Sequence, residues 1–402
     1  MATILEQCKV QTSPDTVTEV TLPLVHFDIT WLYFHPVHRL LFFDFPCSKA
    51  YFLDTIVPRL KQSLSLTLKH FLPLAGNIVH PIDSGRPMSR YAVGDSVSLT
   101  IAEYDKDFNQ FTGNHPRVAD EFYACVPQLQ PASISNDSVI FPVLSLQVTL
   151  FPEHGMCFGF TNHHAIGDAS TIVRFVKAWA SVTKFDGEAK LIDDKSLPFY
   201  ERTGVEDSEG LDSLYWELLK KSRPVESPPL TFPLNKVRAT FIITRDDIQK
   251  LKNIVLAKQP NMAHLTTFTV VCAHLWAEST HGGLKGNDGF LIAAILIGEA
   301  IRKTVYNEKG ILDGAENWPL EFGKLIGKWL FGVAGSPRFD LYDTDYGWGR
   351  PKKFESVSID GDGSMSLCKS RDFEGGLEIG MSRPKIEMDS FASVFIETLG
   401  NL

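Results

Sequence analysis

The sequence lacks the features that mark several classes of protein. It contains no C-x-x-C pair, no block of lysine and arginine, and no apolar stretch long enough to span a bilayer. Residues 1–16 include no apolar run of signal-peptide length, and the longest apolar stretch, around 290–298, is short. We therefore expect neither a zinc domain, nor a nucleic-acid-binding protein, nor a protein that is secreted or embedded in a membrane.

The six cysteines are far apart in the chain, at positions 8, 47, 125, 157, 272 and 368. A chain of this size does not need disulfides for stability, so the scattered cysteines predict reduced thiols in a cytoplasmic protein. The formal net charge of -9 is spread along the sequence, which also argues against a nucleic-acid partner. No metal or redox cofactor is predicted.

The composition is that of a globular protein with two domains. Hydrophobic residues make up 44% and charged residues 22% of the 402 residues, and single hydrophobic cores stop growing near about 250–300 residues. Residues 186–233 are richer in Asp, Glu, Ser and Pro, which is typical of a connecting segment. We therefore predict an N-terminal domain over 1–185, a crossover linker over 186–233 and a C-terminal domain over 234–402.

The periodicity of apolar residues predicts helices and strands in both halves of the chain. Helices are predicted over 48–71, 170–183, 211–221, 245–257, 267–279, 290–306 and 385–399. Strands are predicted over 239–244, 355–359, 364–369 and 377–381, and two more within 143–164, where Pro152-Glu153-His154-Gly155 indicates a tight turn. The mixture predicts an α/β fold with packed layers.

One segment joins a predicted strand to a predicted helix and carries candidate catalytic residues. It reads Asn162-His163-His164-Ala165-Ile166-Gly167-Asp168, so that His164 and Asp168 have the spacing H-x-x-x-D. A neutral imidazole with a pKa of about 6.5 can take a proton from an alcohol that attacks a thioester and return it to the leaving thiolate. The alternative is a buried histidine that only closes the strand. Asp168 could orient the imidazole or hold the loop, and irregular backbone between the two residues favours the structural role.

Two motifs together resemble those of the plant BAHD acyltransferases. The segment from His164 to Asp168 is similar to the H-x-x-x-D motif of that family, and Asp345-Tyr346-Gly347-Trp348-Gly349 is similar to its D-F-G-W-G motif. Phe71-Leu72-Pro73-Leu74-Ala75-Gly76 matches another family segment. Residues 22–31, 332–337 and 357–360 resemble the branch that malonylates phenolic and flavonoid glucosides, anthocyanins included. The resemblance extends over nearly the whole chain.

The resemblance implies two chloramphenicol-acetyltransferase-like domains with a channel between them, in a monomeric enzyme whose general base is His164. The co-substrate would be an acyl-CoA, malonyl-CoA in this branch, and the acceptor would be a sugar hydroxyl of a phenolic or flavonoid glucoside. Asp345 would be either a second catalytic residue or, as a Gly-Trp-Gly turn favours, a structural one, together with Asp168, Gly347, Trp348 and Gly349. Tyr346 replaces the usual phenylalanine, a change that the fold should tolerate if the hydroxyl reaches water.

The resemblance also implies residues that bind the acyl donor. A malonyl group ends in a carboxylate, so its site should contain a cation, and Arg174 stands at the matching position. It could instead be an ordinary surface arginine. The segments similar to the CoA-binding surface of the family contain Lys252, His264, Thr266, Thr267, Ser336 and Arg338. Lys252 could equally lie on the solvated face of its helix.

The sequence departs from the family pattern between the predicted helices over 267–279 and 290–306. Family members carry a further segment there, with a D-x-R-x-R-x-x-P-P run and a Y-F-G-N stretch, whereas residues 281–289 join the two helices directly in this chain. The arginine that pairs in the family with the aspartate of H-x-x-x-D is thereby missing, which leaves Asp168 in need of another partner. An alternative function is therefore a catalytically impaired relative that binds CoA or a glycoside without turnover. A serine hydrolase is disfavoured, because no G-x-S-x-G motif is present.

Overall fold

The computed structural model describes residues 2–82, 85–135, 137–186, 197–202, 207, 210–221, 232–262, 264–279, 286–325, 328 and 330–400. The chain divides into two compact units. Unit 1 comprises Met1–Gly113, Ala119–Leu234 and Arg338–Gly361. Unit 2 comprises Asn114–Val118, Asn235–Pro337 and Asp362–Leu402.

This division corrects the predicted domain organisation in two respects. The main boundary falls after Leu234, as expected, but Arg338–Gly361, which carries the D-Y-G-W-G motif, belongs to unit 1 rather than to the C-terminal domain. The predicted linker is also part of unit 1, because its helix over Leu211–Lys221 buries the side chains of Leu211, Tyr215 and Trp216. Residues 187–196, 203–206, 208–209 and 222–231 of that predicted linker lie outside the described residues.

The strands are numbered in chain order. They are β1 Thr3–Gln11, β2 Val20–Pro23, β3 Val37–Asp44, β4 Asn77–Pro81, β5 Met88–Tyr91, β6 Ser96–Glu103, β7 Arg117–Val118, β8 Ser133–Ser135, β9 Ser138–Pro142, β10 Leu144–Phe151, β11 Gly155–Asn162, β12 Val237–Ile243, β13 Val333–Ala334, β14 Lys353–Ser356, β15 Met365–Lys369 and β16 Leu377–Arg383. The strands predicted over 143–164 and in the second half of the sequence are confirmed, with ends shifted by a few residues.

The main sheet of unit 1 has the strand order β1-β6-β10-β11-β3-β14. β10 and β6 pair in parallel, and the other neighbours pair antiparallel. Every residue of β10 and β11 is buried, as expected of central strands covered on both faces. β14 pairs with β3, with Lys353 opposite Phe42, and this pairing brings the third stretch of the chain into unit 1.

Each unit also contains a five-stranded sheet. In unit 1 its order is β2-β5-β4-β9-β8, and in unit 2 it is β13-β15-β16-β12-β7. The sheet of unit 2 packs with its helices around a core that includes Val270, Val271, Leu275, Ile379 and Met388.

The helices are numbered in the same way. They are α1 His26–Ile29, α2 Lys49–Tyr51, α3 Val57–Leu68, α4 Leu72–Ala75, α5 Phe108–Thr112, α6 Ala169–Lys184, α7 Leu211–Lys221, α8 Arg245–Lys258, α9 Thr267–Ser279, α10 Gly286–Thr304, α11 Trp318–Gly323, α12 Ile359–Asp362 and α13 Lys385–Gly400, and a π-helical stretch over Phe52–Ile56 joins α2 to α3. The predicted helices are confirmed. Within the described part of the chain, no helix combines the length and apolarity needed to cross a membrane.

The sequence of α6 explains where this helix begins and how it packs. Asp168 is the residue before its first turn and accepts a hydrogen bond from the N–H of Thr171, an arrangement that satisfies a donor left open at a helix start. Ile172, Phe175 and Trp179 recur at helical spacing and are buried. The indole N–H of Trp179 also donates to the hydroxyl of Ser63 in α3 at 3.1 Å. The helix is therefore fixed both at its start and along its length.

Candidate active site

The loop between β11 and α6 carries two histidines with different surroundings. His163 is buried, and its Nδ1 accepts a hydrogen bond from the N–H of Ala165 at 3.2 Å. Burial lowers the pKa of His163 to about 4, so this imidazole is neutral near pH 7. His163 thus has a structural task in the turn His164–Ile166.

His164 is held between two aromatic side chains. Its ring stacks on Trp31, with 4.2 Å between ring centroids and 13° between ring planes. Phe34 approaches edge-on at 5.7 Å. Nδ1 of His164 is buried without a hydrogen-bond partner among the described residues. The two ring contacts therefore fix the orientation of the imidazole.

The electrostatic surroundings keep His164 neutral. Burial is the largest influence and lowers the pKa of His164, and the nearby charges of Arg39 and His35 lower it further. The backbone of His164 and the Asp168 carboxylate act in the opposite direction without reversing the shift. Because the pKa lies below its ordinary value of 6.5, the ring is available as a proton acceptor at neutral pH.

Asp168 serves as the cap of α6. One carboxylate oxygen accepts hydrogen bonds from the N–H of Thr171 at 2.8 Å and from its hydroxyl at 2.9 Å. The charge of Asp168 also raises the pKa of Arg39, although burial lowers that pKa to about 10 overall. The carboxylate is thus not left without hydrogen-bond donors, as the shortened sequence suggested, because Thr171 supplies two of them. Arg39 itself donates to the side chain of Asn162 at 3.1 Å.

A cavity of about 380 Å³ in unit 1 adjoins this loop, and Ala165, Ile166, Gly167 and Asp168 form part of its wall. Its volume is within the range of small-molecule sites. The first turns of α6 contribute Thr171 and Arg174, and residues 197–202 contribute four further side chains. The cavity therefore extends from the residue next to His164 along the start of α6.

One of the two arginines in this cavity belongs to an ion pair. Arg202 pairs with Asp28 at 3.1 Å, whereas Asp168 accepts its hydrogen bonds from Thr171. Arg174 is exposed to the cavity, and no described carboxylate lies within ion-pair distance of it. The site therefore presents a guanidinium that can bind a carboxylate through two parallel hydrogen bonds.

Asp345 fixes the turn of the second motif. One of its oxygens accepts hydrogen bonds from the N–H groups of Gly347 at 2.8 Å and Gly349 at 2.9 Å, and the other binds the ammonium of Lys184 at 2.6 Å. Both glycines have positive φ, 107° and 99°, which glycine adopts without strain. Burial raises the pKa of Asp345, but these hydrogen bonds outweigh it and the net pKa is lowered.

The structure does not bring Asp345 to His164. Its partner Lys184 is the last residue of α6, whereas Asp168, next to the histidine loop, precedes the first. A helix of 16 residues spans about 24 Å at 1.5 Å per residue. The contacts of Asp345 therefore lie at the far end of α6, which favours the structural alternative, and the catalytic role considered for this residue stays a prediction.

Replacing Asp345 with alanine is expected to lower the free energy of unfolding by about 1–2 kcal/mol, because two N–H groups and an ammonium lose their acceptor. The kcat of folded protein should change less than about tenfold. Denaturant unfolding and thiol release at equal folded concentration measure the two effects. Asp345→Asn retains an oxygen for the two N–H groups and is the matched control. A much larger loss of kcat in well-folded Asp345→Asn would make Asp345 part of the reaction.

Tyr346 lies in an aromatic cluster and does not reach water. Its ring stacks on Phe158 at 4.5 Å and on Trp348 at 5.5 Å, and Trp179 approaches edge-on. The side chain is 0% exposed, and its hydroxyl has no hydrogen-bond partner among the described residues. The condition under which we expected this tyrosine to be tolerated is therefore not met, and the buried hydroxyl destabilises the fold.

Replacing Tyr346 with phenylalanine is expected to raise the free energy of unfolding by about 1–2 kcal/mol, because the cost of an unpaired buried hydroxyl is removed. Tyr91→Phe is the matched control, since the equally buried hydroxyl of Tyr91 lies 2.7 Å from that of Thr12. That variant should lose about 0.5–1.5 kcal/mol. Denaturant midpoints compare the two. A Tyr346→Phe variant that is less stable than the unmodified chain would show that the Tyr346 hydroxyl has a hydrogen-bond partner.

The residues considered for CoA binding fall into two groups. In unit 2, the ammonium of Lys252 donates to the hydroxyl of Thr267 at 3.2 Å, and Thr266 caps the start of α9 through the N–H of Thr269. His264 precedes them and stacks on Tyr306 at 4.2 Å. The structure thus brings four of the six predicted residues to the start of α9. The other two lie on either side of a unit boundary in the chain, Ser336 in unit 2 and Arg338 in unit 1.

Two residues beside His164 are not marked by a functional motif in the sequence. Trp31 lies in a family-like segment that assigns it no role, and Arg39 lies within β3, which has no motif of its own. Arg39 reaches the site because β3 pairs with β11, with Arg39 opposite Phe160, and Trp31 reaches it by stacking on His164. A single sequence offers no signal for such contacts.

Comparison with known proteins is consistent with this geometry. The model of the Transferase family matches residues 1–288 and 293–398. Phenolic glucoside malonyltransferase 1 of Nicotiana tabacum is 44% identical, over 91% of this chain and 92% of its own length. The malonyl-coenzyme:anthocyanin 5-O-glucoside-6'''-O-malonyltransferase of Salvia splendens is 40% identical, over 98% of this chain and 94% of its own. That alignment runs over 444 positions, more than the 402 residues of this chain, so the relative has residues without counterparts in this chain.

Solved structures share the fold at low sequence identity. Vinorine synthase superposes with a TM-score of 0.65 at 18% identity, over 98% of both chains. TRI101 of F. graminearum, complexed with ethyl coenzyme A, gives a TM-score of 0.60 at 12% identity, over 92% of this chain and 96% of that one. These likenesses confirm the expected two-domain α/β fold. The family model and the malonyltransferase relatives show the family. The chain therefore belongs to the plant BAHD transferase family, and it is an acyltransferase.

Proposed function

We propose that this acyltransferase transfers the malonyl group of malonyl-CoA to a sugar hydroxyl of a phenolic or flavonoid glucoside, with His164 as the general base. The observation that carries the proposal is the arrangement in unit 1. A neutral His164, stacked on Trp31, precedes residues that form part of the wall of a cavity, and Arg174 lines the same cavity without an ion-pair partner among the described residues.

His164 performs the proton transfers. Nε2 takes the proton of the acceptor hydroxyl as its oxygen attacks the thioester carbonyl. The carbon–sulfur bond then breaks, and the same proton passes from the imidazolium to the departing thiolate of CoA. The products are the acylated glucoside and free CoA, with His164 returned to its neutral state. One base serves both steps, so no covalent enzyme intermediate is required.

Arg174 selects the acyl donor in this proposal. Its guanidinium would hold the terminal carboxylate of the malonyl group, which acetyl-CoA and aromatic acyl-CoAs lack. The malonyltransferases of Nicotiana tabacum and Salvia splendens, at 44% and 40% identity, support malonyl-CoA as the donor. The acceptor is assigned at the level of glucoside class for the same reason.

The start of α9 is the proposed surface for the phosphates of CoA. Helix N-termini favour anions, because their N–H groups point outward and the helix dipole is positive there. Lys252 adds a positive charge beside Thr267, and both residues are partly exposed. His264 and Thr266 lie close to Thr267 in the sequence. The family resemblance also implies Ser336 and Arg338 as CoA-binding residues.

A second candidate function, binding without turnover, has one observation in its favour. The relatives contain residues that this chain lacks, and the family match is interrupted at 289–292. The junction at 280–285 lies outside the described residues. Under this alternative the chain retains the donor and acceptor sites but does not complete the transfer.

Thiol release from malonyl-CoA by the purified chain tests the proposal. We expect release that depends on adding phenyl or flavonoid glucosides and that yields a malonylated glucoside by mass spectrometry. Acetyl-CoA and coumaroyl-CoA are the matched donors. Well-folded protein that binds malonyl-CoA in calorimetry but releases no thiol with any donor or acceptor would exclude turnover and leave the binding function.

The proposal places a monomeric enzyme in the cytoplasm. No disulfide joins any two of the six cysteines, all of which the structure describes, and five of them are buried, as is usual in a reducing compartment.

A further inference from the structure

Phe199 is an exposed aromatic residue in the wall of the cavity. It lines the cavity together with Pro198, Tyr200 and Arg202, yet 72% of its surface is accessible to solvent. Its ring has no described aromatic neighbour, whereas the ring of Trp31 stacks on His164 and the ring of Tyr346 stacks on Phe158. Phe199 therefore presents a free ring face to a cavity whose wall also includes Ala165, the residue that follows His164.

The exposure of Phe199 is not the result of a loose segment. Three residues further on, Arg202 pairs with Asp28 at 3.1 Å, and the Asp28 side chain is only 17% exposed. The adjacent Tyr200 donates its hydroxyl proton to the carbonyl of His70 at 2.9 Å. Both contacts bind residues 197–202 to other parts of unit 1, so the backbone around Phe199 is held while its ring points outward.

Asp28, one partner of this ion pair, is close in sequence to a residue that contacts His164. Asp28 belongs to α1, and Trp31, three residues later, stacks on His164. One short stretch of sequence therefore carries both the contact that positions residues 197–202 and the contact that positions the imidazole. Residues 28–31 thus contact both the segment that carries Phe199 and the imidazole of His164.

We propose that Phe199 is an acceptor-binding residue whose ring stacks on the aromatic aglycone of the glucoside. The inference rests on the proposed function and adds the part of the acceptor that the cavity recognises. The sugar lies toward the loop with His164, where its hydroxyl is acylated, and the aglycone lies toward Phe199. Stacking of aromatic rings in an offset or edge-on geometry supplies preference for an aromatic over a saturated ring of similar size.

The test compares phenyl β-D-glucoside with cyclohexyl β-D-glucoside, which share the sugar and the ring size. Phe199→Ala should raise the KM, or the Kd in calorimetry, for the phenyl glucoside by about three- to tenfold. The change for the cyclohexyl glucoside should be clearly smaller, and the KM for malonyl-CoA should stay unchanged. Phe199→Tyr should behave like the unmodified chain. Phe185→Ala is the control, since Phe185 is also exposed but does not line the cavity.

Each outcome decides the inference separately from the proposed function. Equal losses for both glucosides in Phe199→Ala would overturn the stacking on the aglycone. Unchanged acceptor binding in that variant would remove Phe199 from the site altogether. If the chain shows no turnover, the calorimetric Kd values still apply, and failure to bind phenyl glucoside would overturn the inference as well.

Discussion

Replacing His164 with alanine is expected to lower the kcat of thiol release by about 10²–10⁴-fold, the range that a positioned general base contributes. The physical reason is that the proposed base is the imidazole held between Trp31 and Phe34, and alanine has no group that can accept a proton. Malonyl-CoA binding should be retained, because the imidazole takes part in proton transfer rather than in holding the donor. Steady-state kinetics and calorimetry on the same preparation measure both quantities.

His163→Asn is the matched control for this experiment. Asparagine can still accept the hydrogen bond from the N–H of Ala165, so kcat should stay within about tenfold. The pH dependence adds a second readout. His164 acts in its neutral form and its pKa is lowered from 6.5, so the acidic limb of kcat/KM should lie below pH 6.5. Full turnover in His164→Ala would refute the assignment.

Replacing Arg174 with alanine is expected to raise the KM for malonyl-CoA by about ten- to a hundredfold, because a charge-assisted pair with the donor carboxylate is lost. Acetyl-CoA has no such carboxylate, so its KM should hardly change and the preference for malonyl-CoA should fall by the same factor. Competition between the two donors, followed by mass spectrometry of the products, measures that preference directly.

Lys177→Ala is the control for charge on the same helix. Lys177 lies three residues after Arg174, does not line the cavity and pairs with Asp343 at 3.7 Å. Its removal should leave donor preference unchanged. Arg174→Lys should give an intermediate loss, because an ammonium keeps the charge but not the two parallel hydrogen bonds. Equal rises in KM for both donors would show that Arg174 does not read the carboxylate.

The sequence predicted those parts of the fold whose signal is local. α6 has apolar residues at helical spacing, and β10 and β11 are apolar runs joined by a turn-forming segment, so the local pattern is sufficient to predict them. β1 and β6 were missed. Their residues pair across about ninety positions, as Val10 does with Val97, and strand preference depends on such partners more than on the strand itself.

The candidate site likewise contains residues that the sequence predicts and residues that it does not. His164, Asp168 and Arg174 follow one another within a single strand–loop–helix segment, and their proximity could be inferred from the sequence. The stacking partner Trp31 comes from the turn that follows α1, and the wall residue Phe199 from a segment taken to be a linker. The sequence leaves a catalytic and a structural role open for Asp345 and favours the structural one, and the contact with Lys184 at the end of α6 agrees with that preference.

The pairing of β14 with β3 has a consequence for the synthesis of this protein. Roughly 300 residues separate the two strands, which at about 5–20 residues per second takes about 15–60 s of translation. During that interval the sequence of unit 2 from Asn235 to Pro337 leaves the ribosome, while the edge of β3 has open N–H and C=O groups. Such an edge can pair with another chain. Unit 1 therefore cannot complete its main sheet until translation has passed Ser356, and nascent chains that stall earlier are the ones exposed to aggregation.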